Sequence, residues 1–218
     1  FSLSALYTLP FKGNRLVDGW RLGTIVTLQS GNPLNITAGN PTTGLTPGGF
    51  TNGGIRPDLI GPLPPVGKSG IATGSQVGNI QWFAPATTLV CDPSSQPVCP
   101  GSAVFVLPIQ PVVVGKDANG NDIINNLYHF GNLGRNALLG PDFKNLDLSL
   151  SKTTRITERL RTELRVESFD LFNHPNLANP GTTAQLNSTT FGVIRATRGP
   201  NGDAGSARQI QFALKLMF

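Results

Sequence analysis

The stretch from Lys144 to Ser168, KNLDLSLSKTTRITERLRTELRVES, decides the fold. In its first half Leu146, Leu148 and Leu150 alternate with Asn145, Asp147, Ser149 and Ser151. In its second half Leu160, Thr162, Leu164 and Val166 alternate with Arg161, Glu163, Arg165 and Glu167. A period of two is the mark of a β-strand with one apolar and one polar face. The polar Thr157 to Arg159 connection between the halves makes the pair a hairpin. Four successive charged side chains on one side of a strand cannot enter a dry core without severe desolvation, so the charges meet water or one another. Two architectures meet that demand. In a soluble sandwich the charged face is the outer surface, where cross-strand ion pairs contribute about a few tenths of a kcal/mol. In a membrane barrel it is a wet interior, and the leucine and valine face turns to lipid.

Outward from this hairpin the same pattern recurs. From Arg208 to the end, Ile210, Phe212, Leu214, Leu216 and Phe218 share a face against Gln209, Gln211, Ala213 and Lys215, and only Met217 blurs it. At the start, Phe1, Leu3, Ala5, Tyr7 and Leu9 share a face, and Pro10 to Asn14 supplies turn residues. Trp20, Leu22, Thr24, Val26 and Leu28 then oppose Arg21, Gly23, Thr27 and Gln29, with Ile25 on the wetter side. Strands are therefore expected near residues 1–9, 15–29, 144–156, 160–172 and 208–218. Residues 30–141 and 173–207 read as long loops rich in Gly, Pro, Thr and Asn, with phrases such as Gly39 to Pro41 and Pro47 to Gly49 that no continuous strand tolerates. Inside the first loop, Ala103 to Val114 is apolar but broken by Pro108 and Pro111, and Asn119-Gly120 is placed to turn a small hairpin between Val112 to Val114 and Ile123 to Ile124.

The connections alternate: short after Leu9, very long after Gln29, short after Ile156, long after Ser168. Antiparallel strands reverse direction each time, so every short turn falls at one end of the sheet and every long loop at the other. Outer-membrane barrels show this asymmetry, with short periplasmic turns and long external loops, and a soluble sandwich has no reason for it. Strands of nine or more residues also match the roughly 9 to 11 that cross a bilayer when tilted. Tyr7, Phe11, Trp20 and Phe218 fall toward the short-turn end, and Phe169 and Phe172 toward the other, as interfacial girdles would. Five strands cannot close, and an open edge in lipid leaves unpaired backbone groups costing several kcal/mol each. The expectation is an all-β fold: the antiparallel C-terminal strands of a large transmembrane barrel, with the other strands upstream of Phe1.

Composition agrees. Of 218 residues only 13% are charged and 39% are hydrophobic, too apolar for a disordered chain, while 26 glycines and 18 prolines argue against long helices. No window approaches the roughly 18 apolar residues of a membrane helix. The net charge of +5 comes from scattered basic residues that seldom sit near aromatics, which argues against nucleic acid as a partner.

Several phrases resemble one family. Gly131-Asn132-Leu133-Gly134-Arg135-Asn136, Gly140-Pro141 and Asn145-Leu146-Asp147-Leu148-Ser149-Leu150 look like the penultimate region of Oar-like TonB-dependent receptors, especially the acidobacterial kind. Ile156-Thr157-Glu158-Arg159-Leu160, Phe169-Asp170-Leu171-Phe172-Asn173-His174-Pro175-Asn176, Phe191-Gly192-Val193-Ile194 and the terminal Phe218 continue the likeness in order, which is weakest from Pro62 to Tyr128. The resemblance implies an outer-membrane active transporter of roughly 22 strands with a plugged lumen. In that family the plug and the segment that engages TonB are N-terminal, often behind a carboxypeptidase-regulatory-like module, and all of these would lie upstream. Partners implied are outer-membrane lipid, TonB through the missing N-terminal part, an unknown solute, and the barrel assembly machinery. The last would read Ile210, Phe212, Leu214, Leu216 and Phe218 as its signal. Arg161, Glu163, Arg165 and Glu167 become a charged ladder facing the lumen. Cys91 and Cys99 would be two thiols in the cytosol but would staple a small loop in an oxidising compartment, and here the expectation is a disulfide on the external surface.

Other chemistry is weak. His129 and His174 lack a second histidine or a cysteine at metal-ligand spacing, and no Ser, Cys or carboxylate sits in a nucleophile motif, so no enzyme, metal or cofactor is expected. Asp117, Asn119, Asn121 and Asp122 offer oxygen ligands for calcium, but the glycine is misplaced for an EF-hand and a turn explains the same residues. Val66-Gly67-Lys68-Ser69 ends like a phosphate loop but has Pro62 where the first glycine belongs. The function expected is solute uptake by an outer-membrane transporter; the rival is a secreted β-rich adhesion or binding module.

Overall fold

The computed structural model describes residues 1–38, 55–68, 70–71, 79–96, 98–198 and 207–218. The Gly39 to Pro41 and Pro47 to Gly49 phrases and Ser69 lie outside these residues. The alternating segments form five long strands: β1 (Ser2–Thr8), β2 (Trp20–Gln29), β3 (Phe143–Arg155), β4 (Arg161–Phe169) and β5 (Gln209–Met217). They lie side by side in chain order, each antiparallel to the next, as an up-and-down meander. Among the described residues the outer edges of β1 and β5 are unpaired, so the sheet is open.

Four strands are shorter than the alternation predicts: β1, with 7 residues rather than nine or more, and β5 each lose one residue at either end, while β2 and β4 lose more, each for a local reason. β2 starts at Trp20 rather than Arg15 because the Asn14 side chain accepts from the backbone N–H groups of Leu16 and Val17 at 3.1 and 3.2 Å, winding residues 14–19 into a turn. β4 stops at Phe169 rather than Phe172 because Asp170 takes a φ of 50°, a left-handed conformation that ends a strand.

Register keeps the two faces separate across all five strands. Leu150 sits opposite Leu22 on one side and Val166 on the other, Leu148 opposite Thr24 and Ser168, and Leu164 opposite Leu214. On the reverse face Ser149 lies between Gly23 and Glu167, and Glu163 lies between Thr153 and Lys215. A slip of one residue in any pair would mix the faces. On the apolar face, among the described residues, Leu164, Leu214 and Phe212 are 44%, 68% and 73% exposed. A continuous exposed apolar surface of this kind is not how a soluble domain stores its leucines.

The chain divides into two units, the first being residues 1–31, 142–177 and 197–218 and the second 32–141 and 178–196. The second unit, read from sequence as loop, has a core of its own. Phe191 is fully buried, with its ring edge-on to Phe83 at 5.0 Å and to Phe105 at 5.9 Å, among Leu34, Ile36, Leu107 and Leu133. Phe191 belongs to the second long connection and the other two rings to the first, so the two connections fold together. Their short two-residue strands and the single turn of helix at Ala86–Leu89 are held by this packing rather than by propensity. The hairpin around Asn119-Gly120 is longer than predicted, pairing Ile109–Lys116 with Asp122–Tyr128. Pro111 fits within it because a two-stranded ribbon is all edge.

Candidate functional site

The polar face of the sheet gathers the side chains with chemistry to offer. Strand parity puts Arg161, Glu163, Arg165 and Glu167 on it, and the ladder is paired along β4 itself. The Arg165 guanidinium donates to Glu163 Oε1 through Nη2 at 2.6 Å and Nε at 3.2 Å, and its Nη1 lies 3.6 Å from Glu167 Oε1. Arg161 stands apart, directly opposite Arg155 at the short-turn end. Glu163, Arg165 and Glu167 thus compensate one another, whereas Arg161 faces a like charge.

Toward the other end of the same face is a concavity of about 450 Å3. Ser4, Leu6 and Ile25 line one side and Asp147, Ser149, Glu167 and Phe169 the other. Gly23 makes the room. It lies opposite Leu6 and Ser149, and a Cβ placed there would run into Ser149 Oγ. Phe169, expected in an interfacial girdle, instead shares the charged face, opposite Gln209. Its odd-numbered parity with Arg161 to Glu167 was the signal, and it outweighs nearness to the strand end. Phe172 and Phe218 both lie beyond the ends of their strands and are exposed.

The Phe169 to Asn176 phrase is a clamp on the strand ends. Asp147 Oδ1 accepts from the Asp170 N–H at 3.0 Å, and Leu171 N–H donates to Leu146 O at 2.8 Å. The buried Asn176 side chain accepts from Lys144 N–H at 2.8 Å and donates to Lys144 O at 2.9 Å, while Asn173 Oδ1 accepts from Arg208 N–H at 2.9 Å. His174 contributes its backbone N–H to Asp170 Oδ1 at 3.1 Å. Just before β3, Asp142 meets Lys144 Nζ at 2.6 Å, and that hydrogen bond holds its carboxyl below the ordinary range against some desolvation.

The apolar face carries a second anchor. Lys152 Nζ donates to Leu16 O and Asp18 O at 2.6 and 3.0 Å and stands 4.8 Å from the Trp20 ring centre. A lysine on a greasy face is thus folded back onto the short turn, as a side chain does when it reaches for an interface. Ile210, Phe212, Leu214 and Leu216 line this face of β5, all exposed, with Phe218 following.

In the second unit Cys91 and Cys99 are joined by a disulfide, Cα to Cα 5.5 Å. His129 Nε2 meets Asp58 Oδ2 at 2.5 Å, and Asn132 knits the same corner by donating its N–H to Asp58 Oδ1 and accepting from Leu59 N–H. Asp117 is taken up by its own turn: Asn121, through both side chain and backbone, lowers its carboxyl pKa, and Asn119 N–H adds a further donor. This is the turn reading of that cluster.

Residues 1–211 match the family of the outer membrane beta barrel domain. No curated protein matches the chain, and no solved structure does.

Proposed function

Since the chain belongs to the outer membrane beta barrel domain family and resides in the outer membrane, we propose that it is the C-terminal barrel segment of a TonB-dependent, Oar-like transporter for an unidentified solute. The observation that carries the proposal is the unbroken two-faced register of five meandering strands, apolar on one side and charged on the other. The apolar side turns to lipid and the Arg161 to Glu167 ladder to the aqueous lumen. The long connections, residues 30–141 and 173–207, form the solute-facing external surface, with the Cys91–Cys99 disulfide in an oxidising compartment. The terminal residues Ile210, Phe212, Leu214, Leu216 and Phe218 serve both as lipid contacts and as the signal for the barrel assembly machinery. Coupling to TonB resides upstream of Phe1, and the role of this chain is not enzymatic.

Two measurements test the proposal. The coding sequence upstream of Phe1 should contain a plug and a signal peptide; a stop codon immediately before it removes the transporter reading. The protein should leave the membrane only in detergent. A monodisperse protein in plain buffer points instead to the adhesion module.

A further inference from the structure

We propose that the short-turn end of the apolar face holds the headgroup of an anionic phospholipid, gripped by Lys152, Arg15 and Lys12, an assignment that rests on that face being the one turned to hydrocarbon. The argument begins with two lysines on one strand. Lys144 and Lys152 share the apolar face of β3 and stand toward its opposite ends. Lys144 brings its own counter-ion, since its Nζ lies 2.6 Å from Asp142 Oδ2. Lys152 does not. Its Nζ donates to two backbone carbonyl oxygens, Leu16 O at 2.6 Å and Asp18 O at 3.0 Å, and among the described residues it enters no ion pair. An ammonium group has three donors, so one N–H and the whole of the charge are left over. A charge at the border of hydrocarbon is costly unless it meets water or an anion.

Depth and surroundings identify the anion. Lys152 is four residues from Leu148 at the middle of the apolar band, so its Cα lies about 10 Å from that middle at a tilt near 40°, and a band about 25 Å tall ends about 12 Å from it. The four-carbon stem carries Nζ across this edge to headgroup level. The turn over residues 14–19 is drawn to the same place. Its carbonyls accept from Lys152, and Trp20, directly opposite Lys152 on the same face, donates from Nε1 to Leu16 O at 3.2 Å with its ring centre 4.8 Å from Nζ. The turn is thereby fastened on the lipid side of the sheet rather than the lumen side. Phe11, Leu16 and Val17 are exposed, Leu16 at 77%, and among them Lys12 and Arg15 are exposed too, with no ion pair among the described residues. Apolar side chains at the acyl boundary with cations at the phosphates are how a segment sits on an anionic membrane. Asp18, the one acidic residue between Leu9 and Trp20, is engaged by the Gly19 N–H at 2.7 Å. Three cations against one carboxylate favour a headgroup with net negative charge over a zwitterionic one, and the planar fork of Arg15 matches a phosphate.

The test uses the whole protein in phosphatidylcholine vesicles, with a fluorophore on Leu16→Cys and a minor fraction of either brominated phosphatidylglycerol or brominated phosphatidylcholine as quencher. The anionic quencher should be preferred at least about fivefold, the factor that corresponds to about 1 kcal/mol for one cation near an anionic surface. Lys152→Met should cut the preference about fivefold and Lys152→Arg should keep it. Arg15→Gln, whose side chain does not hold the turn, should also lower it, and Lys144→Gln, at the end that has its own counter-ion, should leave it unchanged. Glycerol phosphate in the buffer, the same phosphate without acyl chains, should not displace the lipid. Equal quenching by the two lipids, a preference that survives Lys152→Met and Arg15→Gln combined, or displacement by glycerol phosphate overturns the site. If neither brominated lipid quenches, the lipid-facing reading itself fails, whereas quenching without charge preference refutes the headgroup site alone.

Discussion

Substituting Leu148 separates hydrocarbon from a packed protein core. Leu148 is on the apolar face of the central strand, opposite Thr24 and Ser168, and is four residues from Lys144 and four from Lys152, the two cations that bound this face of β3. At about 3.3 Å per residue each lysine is roughly 13 Å away along the strand, or about 10 Å in depth at a tilt near 40°. Leu148 therefore lies near the middle of the apolar band, where a lysine costs about 2–4 kcal/mol. Leu148→Lys should lower unfolding stability by that amount, measured by guanidinium titration of the protein in phosphatidylcholine vesicles. A core leucine would respond the same way, so Leu148→Phe is the discriminating partner. Fluid lipid accepts the larger ring with a change below about 0.5 kcal/mol, whereas overpacking a close-packed interior costs about 1–3 kcal/mol. One position along, Ser149→Lys places a cation opposite Glu167 on the other face and should cost nothing or stabilise by about 0.2–1 kcal/mol. A destabilising Leu148→Phe, or a Ser149→Lys as harmful as Leu148→Lys, would refute the assignment of faces.

Further expectations follow from the clamp, the disulfide and the terminus. Asn176→Ala should cost about 1–3 kcal/mol, because it leaves the Lys144 backbone without two partners beside a buried site, and hydrogen exchange at the Lys144 amide should accelerate first. Opening the Cys91–Cys99 bridge, which closes a separation of 8 residues, should destabilise its unit by about 2.5 kcal/mol, with a mass gain of two hydrogens on reduction as the control. Asp117 has its pKa lowered from 3.8, so its support of the 117–121 turn is fully present above that value and lost as pH falls through the lower folded one. The Asn119 and Asn121 amides should gain exchange only below about pH 3.8; loss of protection near pH 5 would contradict this. Deleting Phe218 should reduce the amount of protein assembled in the outer membrane of living cells, and undiminished insertion would remove its role as a signal.

The sheet was legible because its information is local. Parity along Leu146 to Leu150, Leu160 to Val166 and Ile210 to Phe218 assigns faces without any knowledge of partners, and the connection lengths order the strands. Phe169 shows the limit of reasoning from position, since its place at a strand end suggested a girdle while its parity put it on the charged face. The core of the second unit was hidden for a different reason. Phe83, Phe105 and Phe191 are scattered among glycines and prolines with no period, and they meet only through tertiary packing between distant segments. The concavity was equally out of reach, because it depends on Leu6, Gly23 and Ser149 falling in register across three strands. Ile25 announced itself, as an apolar residue on the wetter side of β2.

The most direct test places single cysteines one at a time at positions 209 to 217 of β5 and measures, in vesicles, labelling by a charged thiol reagent and fluorescence quenching by brominated lipid. The native Cys91 and Cys99, being bonded to each other, stay silent in this assay. Even-numbered positions, beginning with Ile210, Phe212 and Leu214, should be quenched from the lipid, and odd-numbered ones, Gln211, Ala213 and Lys215, should react from the aqueous side. Uniform reactivity along β5, or quenching at the odd positions, would contradict the account.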